Sequence, residues 1–139
     1  MPIKPENRHR YPADWQQIRA RILARAGDRC ERCGVPNHTW VHRLAACPER
    51  WVRANPLPVE AARLELRPSV RIVLTIAHYP DPEPENCDEG NLLALCQRCH
   101  NLLDAPLRWR HAAATRRRQQ DAARAAWEQA GGQTRLELL

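Results

Sequence analysis

Apolar residues recur at the spacing of one helix face near the start of the chain. These residues are Trp15, Ile18, Ile22 and Leu23. Asp14 stands before them as an N-cap or first-turn acid, and Gly27 stands after them where a C-cap glycine belongs. The pattern predicts a helix between these two residues, preceded by a flexible basic arm at residues 1–11.

The strongest strand signal is a β-branched, apolar run over residues 70–77, which ends at His78. A second apolar run, residues 92–95, predicts another short strand. A short helix through residues 100–104 is expected to follow, stopped by Pro106 because proline cannot continue a helical hydrogen-bond ladder. Two strands followed by a helix make a small ββα unit.

Outside this unit, the hydrophobic pattern is weaker. Prolines divide residues 35–69 into short pieces, so we expect an ordered but irregular insertion with a short helix over residues 59–66. Residues 107–130 are rich in Ala and Arg without interior Gly or Pro, which predicts a long, largely exposed helix. The predicted fold class is α+β, with domains at residues 1–106 and 107–139.

The charge of the chain points to a phosphate-rich partner. Twenty-two basic residues face sixteen acidic ones, which gives a net charge of +6 and a pI of about 9.4. This balance favours DNA binding, and the alternative is an Arg-rich composition set by a GC-rich genome. No run approaches the ~18 apolar residues of a membrane span, and the N-terminus lacks the apolar segment of a signal peptide. We therefore expect a cytoplasmic protein that does not contact membranes.

Four cysteines form two C-x-x-C pairs in distant parts of the chain. They are Cys30, Cys33, Cys96 and Cys99. In a cytoplasmic protein this spacing indicates metal ligation rather than disulfides, and four thiolates are a ligand set of structural zinc. Gly34 supplies the tight turn of a zinc knuckle, whereas Cys47 and Cys87 have no such partner and are interpreted as free thiols.

The combined motifs resemble those of the HNH endonucleases, in particular small phage and bacterial members with a four-cysteine zinc. The matching segments are residues 29–34, residues 74–78, Asn91–Leu92 and residues 95–100. His78, Asn91 and His100 stand in the order of the three letters of the family name. The resemblance covers roughly residues 14–34 and 70–105, and it implies a zinc-stapled ββα-metal fold that hydrolyses DNA phosphodiesters.

The resemblance also implies a role for each site residue. His78 would be the general base that activates water, and Asn91 would hydrogen-bond backbone to hold the loop that orients His78. His100 would bind a catalytic divalent cation such as Mg²⁺ or Mn²⁺. Asp104 follows His100 by one helical turn and is either a further ligand or a solvent-facing acid.

The chain departs from the family pattern directly before the general base. Many members carry an acidic residue or His there, where this chain has Ala77. Asp81 either replaces the missing ligand with a carboxylate or is a loop residue. The candidates for contacts with DNA phosphates are Arg116, Arg117 and Arg118. The alternative is that these arginines lie on a helix face that contacts only solvent.

Two functions therefore stay open. One is a metal-dependent endonuclease, and the other is a zinc-stapled basic module that binds DNA without cutting it.

Overall fold

The computed structural model describes residues 3–132 of the chain and shows a mixed α+β protein. The helices and strands are α1 (Trp15–Arg25), β1 (Trp40–Arg43), β2 (Trp51–Arg53), β3 (Val70–Arg71), β4 (Thr75–His78), β5 (Leu92–Leu95) and α2 (Gln97–Gln129). Short 3₁₀ helices occupy Pro5–Arg10, Val59–Arg63 and Glu89–Asn91. The chain divides into two compact units, with the boundary between Leu102 and Leu103. The predicted α+β class is confirmed.

Helix α1 forms where its apolar stripe predicts it, and the expected glycine ends it. Gly27 adopts a φ of +63°, a left-handed conformation that favours glycine, and its N–H donates to the Ala24 carbonyl. The Asp28 N–H reaches the Leu23 carbonyl, which completes a Schellman motif. Asp14 occupies the N-cap position without a side-chain capping hydrogen bond.

The buried face of α1 packs against strand β5. Ile18 and Ile22 form a core cluster with Leu92 and Ala94, and Trp15 lies against its edge. The predicted strand over residues 92–95 is confirmed as β5, which pairs antiparallel with β4 so that His78 lies opposite Leu92. Strand β5 is therefore the surface against which α1 packs.

The hydrophobic pattern predicts one strand over residues 70–77, but the structure has two strands there. Val70–Arg71 pairs with β1, whereas Thr75–His78 pairs with β5 in a separate two-stranded sheet. Between them, the Leu74 N–H donates to the buried Asn37 side chain at 2.9 Å instead of to a strand. The Asn37 side chain thus separates the pairing of β3 with β1 from the pairing of β4 with β5.

The insertion at residues 35–69 is more regular than predicted. Strands β1 and β2 pair antiparallel, and with β3 they form a three-stranded sheet in the order β2-β1-β3. The short helix expected at residues 59–66 is a 3₁₀ helix at Val59–Arg63. The strands have only two to four residues, which is too short for a clear alternation of apolar and polar positions.

The N-terminal arm, expected to be flexible, has a defined conformation over residues 3–11. Pro5–Arg10 forms a 3₁₀ helix, and the Arg10 guanidinium pairs with the carboxylates of Glu83 and Glu85. The Tyr11 ring packs on Trp15 with the ring centroids 4.9 Å apart. These partners lie outside the arm's own sequence, so its local composition could not reveal them.

Pro106 does not stop the helix that follows the second cysteine pair, contrary to the prediction. It lies inside α2, which runs from Gln97 to Gln129. Proline deprives a helix of one backbone hydrogen bond, but the long stretch of helix-favouring residues after it offsets that cost. Residues 108–131 are exposed, as expected, and the predicted tail at 133–139 lies outside the described residues.

Among the helices that the structure describes, none combines the length and apolar character that a membrane crossing requires.

Candidate metal centre and histidine site

The two cysteine pairs come together in the first unit. The Sγ atoms of Cys30, Cys33, Cys96 and Cys99 all lie within 4.8 Å of one another. Cys33 Sγ and Cys96 Sγ are 3.7 Å apart, close to the roughly 3.8 Å that tetrahedral Zn–S bonds of about 2.3 Å imply. None of the four forms a disulfide. In residues 3–132 this is the one group of three or more candidate ligands with its atoms gathered together.

Local backbone structure fixes the knuckle that carries the first pair. Gly34 has a φ of +73°, and its N–H donates to the Cys30 carbonyl at 2.8 Å, as the predicted tight turn requires. The Glu31 carboxylate accepts the Ala94 N–H at 2.7 Å, which attaches the knuckle to β5. Because α2 starts directly after β5, the same strand brings Cys96 and Cys99 to the knuckle.

The charges of the cluster suit a divalent cation. A hydrogen bond from Cys96 lowers the pKa of Cys30 to about 4, whereas the same contact and burial raise the pKa of Cys96. Burial, reinforced by the Cys30 charge, raises the pKa of Cys99 to about 11. Four adjacent sulfurs therefore resist ionising together without a cation. Zinc would be held by all four as thiolates and would supply cross-linking of the fold.

Arg43 is a residue of this centre that the sequence analysis missed. Its guanidinium is buried, with 7% of the residue exposed, and Nη2 donates to Cys96 Sγ at 3.2 Å while Nη1 donates to the Pro48 carbonyl at 2.9 Å. A buried cation beside sulfurs favours their thiolate form. The residue types of β1 give no signal for it, because the apolar Trp40 is exposed while the charged Arg43 is buried.

His78 lies at the end of β4 in a half-buried aromatic setting. Its ring stacks on Trp15 at 5.9 Å and meets the Tyr11 ring edge-on at 5.8 Å. Burial, followed by the positive charge of His100, lowers the pKa of His78 below its usual value. This direction favours the neutral imidazole, the form that accepts a proton. Its Nε2 lies 3.8 Å from the Cys87 Sγ, a contact that the sequence analysis also missed.

Asn91 is buried and bonded to the loop that follows His78. Its Nδ2 donates to the carbonyls of Asp81 and Asn86 at 2.9 and 3.0 Å, and its Oδ1 accepts the Asp81 N–H at 3.0 Å. The Asn91 carbonyl also accepts the Tyr79 N–H at 2.9 Å. These contacts are the backbone hydrogen bonds that the resemblance implies for this residue.

The Asp81 carboxylate is engaged within the same loop. Oδ1 accepts the Glu83 N–H at 3.1 Å, and Oδ2 accepts the Asn86 amide at 2.9 Å. These hydrogen bonds, with the Asn86 amide first, lower the pKa of Asp81. The contacts favour the interpretation of Asp81 as a loop residue over that of a metal ligand. Ala77, the position of the missing family ligand, is buried in β4.

His100 lies in the first turns of α2, half-buried. Its Nδ1 lies 2.7 Å from the Thr75 Oγ1, so the hydroxyl of β4 fixes the orientation of the ring. His100 also lines an open cavity of the first unit, together with Gln97. Asp104 belongs to the same helix but to the second unit.

The three candidate DNA-contact arginines, Arg116, Arg117 and Arg118, lie in the second unit and are exposed on α2. Arg116 and Arg117 line a shallow depression with Arg110, and Arg118 donates to the Thr115 hydroxyl at 3.4 Å. The helix thus presents several guanidinium groups to solvent.

In comparisons with known proteins, no family model, no curated protein and no solved structure matches this chain.

Proposed function

We propose that this protein is a metal-dependent endonuclease that hydrolyses DNA phosphodiester bonds on a ββα-metal unit formed by β4, β5 and the start of α2. The observation that carries the proposal is that β4 positions both histidines: His78 ends the strand, and His100 Nδ1 lies 2.7 Å from the Thr75 Oγ1 of the same strand. A histidine that can accept a proton and a second, oriented histidine are groups suited to general-base hydrolysis.

In this proposal His78 takes a proton from water, and the water oxygen forms a bond to phosphorus. The bond from phosphorus to the leaving oxygen breaks, and that oxygen acquires a proton from solvent. Asn91 holds residues 81–86 through its three side-chain hydrogen bonds, which keeps the loop after His78 in one conformation.

Asp81 is engaged within its loop, so a divalent cation such as Mg²⁺ or Mn²⁺ would be held by His100. Bound there, it would supply Lewis-acid stabilisation of the charge that develops on the leaving oxygen. The zinc of the cysteine cluster has a different task, since four thiolates leave no position open for substrate. It would hold the knuckle against the start of α2.

The net charge of +6 supports DNA as the substrate. Exposed arginines on α2, including Arg116, Arg117 and Arg118, would contact phosphates without reading sequence. Affinity should then fall steeply with salt, and reversing these three charges should flatten the salt dependence.

A second candidate function is a zinc-stapled DNA-binding module without cleavage. Ala77 offers no ligand atom, and the Asp81 carboxylate is occupied within its loop. Both observations favour a site that has lost its catalytic metal.

Incubation of supercoiled plasmid with Mg²⁺, Mn²⁺ or Ni²⁺, or with none of them, separates the two functions. The endonuclease predicts nicked or linear product only with a divalent cation. DNA binding with intact plasmid in every condition would instead identify the binding module.

A further inference from the structure

An open groove of about 670 Å³ lies in the first unit, next to His100. The N-terminal arm and α1 form one wall, and β4 and the start of α2 form the other. Its volume falls within the range of about 300–1,000 Å³ that is typical of small-ligand sites in proteins. The groove is therefore large enough for a nucleotide.

The lining of the groove combines positive charge with aromatic rings. Lys4 and Arg19 line it together with His100, and none of the described residues that line it carries a carboxylate. Tyr11 and Trp15 contribute the aromatic surface. Basic side chains that follow a phosphate backbone, with aromatic rings on which bases stack, are the features that bind single-stranded nucleic acid.

The arm that forms one wall is held in place. The pairs that Arg10 makes with Glu83 and Glu85 attach it to the loop after β4. The packing of Tyr11 on Trp15 attaches it to α1. The basic and aromatic groups are thus part of a built surface, positioned by contacts other than those with a ligand.

We infer that this groove binds an unpaired nucleotide of a DNA strand, with its phosphate at Lys4 and Arg19 and its base against Tyr11. In a duplex the faces of the bases are stacked on their neighbours, so they are accessible to Tyr11 only in an unpaired strand. The inference rests on the proposed function and names its substrate class: single-stranded DNA or DNA with an unpaired segment.

The test is binding of a labelled single-stranded thymidine oligonucleotide, and of a duplex of equal length, without added divalent cation. The double variant Lys4→Ala/Arg19→Ala is compared with Arg8→Ala/Arg53→Ala, which removes the same charge from exposed positions outside the groove. We expect single-strand affinity to exceed duplex affinity. The single-strand affinity of the groove variant should be about tenfold lower than that of the control variant.

The salt dependence gives a second readout. Each lost phosphate contact should reduce the slope of log K against log salt by about 0.7 for single strands. The groove variant lacks two such contacts, so its slope should be smaller by about 1.4. Tyr11→Leu should weaken single-strand binding about fivefold or more, whereas Tyr11→Phe keeps the ring and should restore it. Equal losses in the two double variants, or a preference for duplex, would overturn the inference.

The binding test and the plasmid test fail separately. Single-strand binding that depends on the groove, without cleavage in any metal, would leave the inference standing and reject the endonuclease. Metal-dependent cleavage with no effect of the groove variants on binding would support the endonuclease and reject the inference about the groove.

Discussion

The Asn91 side chain makes three hydrogen bonds to the loop after β4, all of them to the backbone of Asp81 and Asn86. Replacing it by alanine leaves partly buried backbone groups without partners, which costs about 1–3 kcal/mol. We predict that Asn91→Ala lowers the free energy of unfolding by this amount and speeds hydrogen exchange at the Asp81 amide. Asn91→Asp keeps the acceptor for that amide, so exchange there should be slower than in Asn91→Ala. Equal exchange in wild type and Asn91→Ala would contradict this role.

Arg43 connects the insertion to the cysteine cluster through the Nη2–Cys96 Sγ contact of 3.2 Å. A hydrogen bond to a charged group contributes about 1.5–3 kcal/mol, or roughly ten- to a hundredfold in an equilibrium constant. We predict that Arg43→Met releases zinc to a chromogenic chelator at least tenfold faster than wild type. Arg53→Met, on the exposed surface of β2, is the control and should release zinc at the wild-type rate. Matching rates for all three proteins would exclude the role of Arg43.

The environment of His78 predicts a direction of pH dependence. Its pKa lies below the unfolded value of about 6.5, so between the two values the unfolded chain binds more protons. Stability should therefore rise with pH across that window and be lost as pH falls through it. We predict that an NMR titration of the His78 ring gives a pKa below 6.5. His78→Gln should reduce the stability difference between pH 5.5 and pH 7.5, and an unchanged difference would contradict the assignment.

The elements that the sequence predicts are those fixed by local pattern. Helix α1 has both an apolar stripe and a C-terminal glycine, and β5 is a short apolar run next to the cysteines. The run over residues 70–77 divides because Asn37, distant in sequence, accepts the Leu74 N–H. No pattern within the run contains that information.

The site shows the same division between local and distant information. Cysteine spacing predicts each pair, because two thiols three residues apart can lie together on a tight turn or at a helix start, and the two pairs meet in the cluster. Arg43 enters the cluster through the register of β1, and Tyr11 reaches His78 through the packing of the N-terminal arm. Such contacts are set by tertiary packing, which residue types and spacing do not encode.

The four-cysteine cluster joins the knuckle after α1 to the start of α2, with Cys96 63 residues after Cys33. Loss of a ligand should therefore unfold much of the first unit, because a structural zinc contributes folding free energy directly. We predict one zinc per chain in wild type by elemental analysis, with Cys96→Ser lacking zinc and melting at a much lower temperature. Cys47→Ser, outside the cluster, should keep both properties. A zinc-free wild-type protein would refute the assignment.

Taken as one chain, the protein combines an excess of basic residues with two centres of different chemistry. The cysteine centre suits a metal that holds structure, and the histidines of β4 and α2 suit proton transfer. Positive charge favours association with any nucleic acid, so binding alone does not separate a nuclease from a binding module. Cleavage that depends on one imidazole does separate them.

The decisive measurement is the single-turnover rate of plasmid nicking in Mg²⁺ or Mn²⁺ by wild type, His78→Ala and His111→Ala. Loss of a general base lowers a rate by about 10²–10⁴-fold. We predict this loss for His78→Ala with zinc content, folding and DNA binding retained. His111→Ala, on the exposed part of α2, should nick at the wild-type rate. Nicking by His78→Ala at the wild-type rate, or no nicking by wild type with any divalent cation, would contradict the proposed endonuclease.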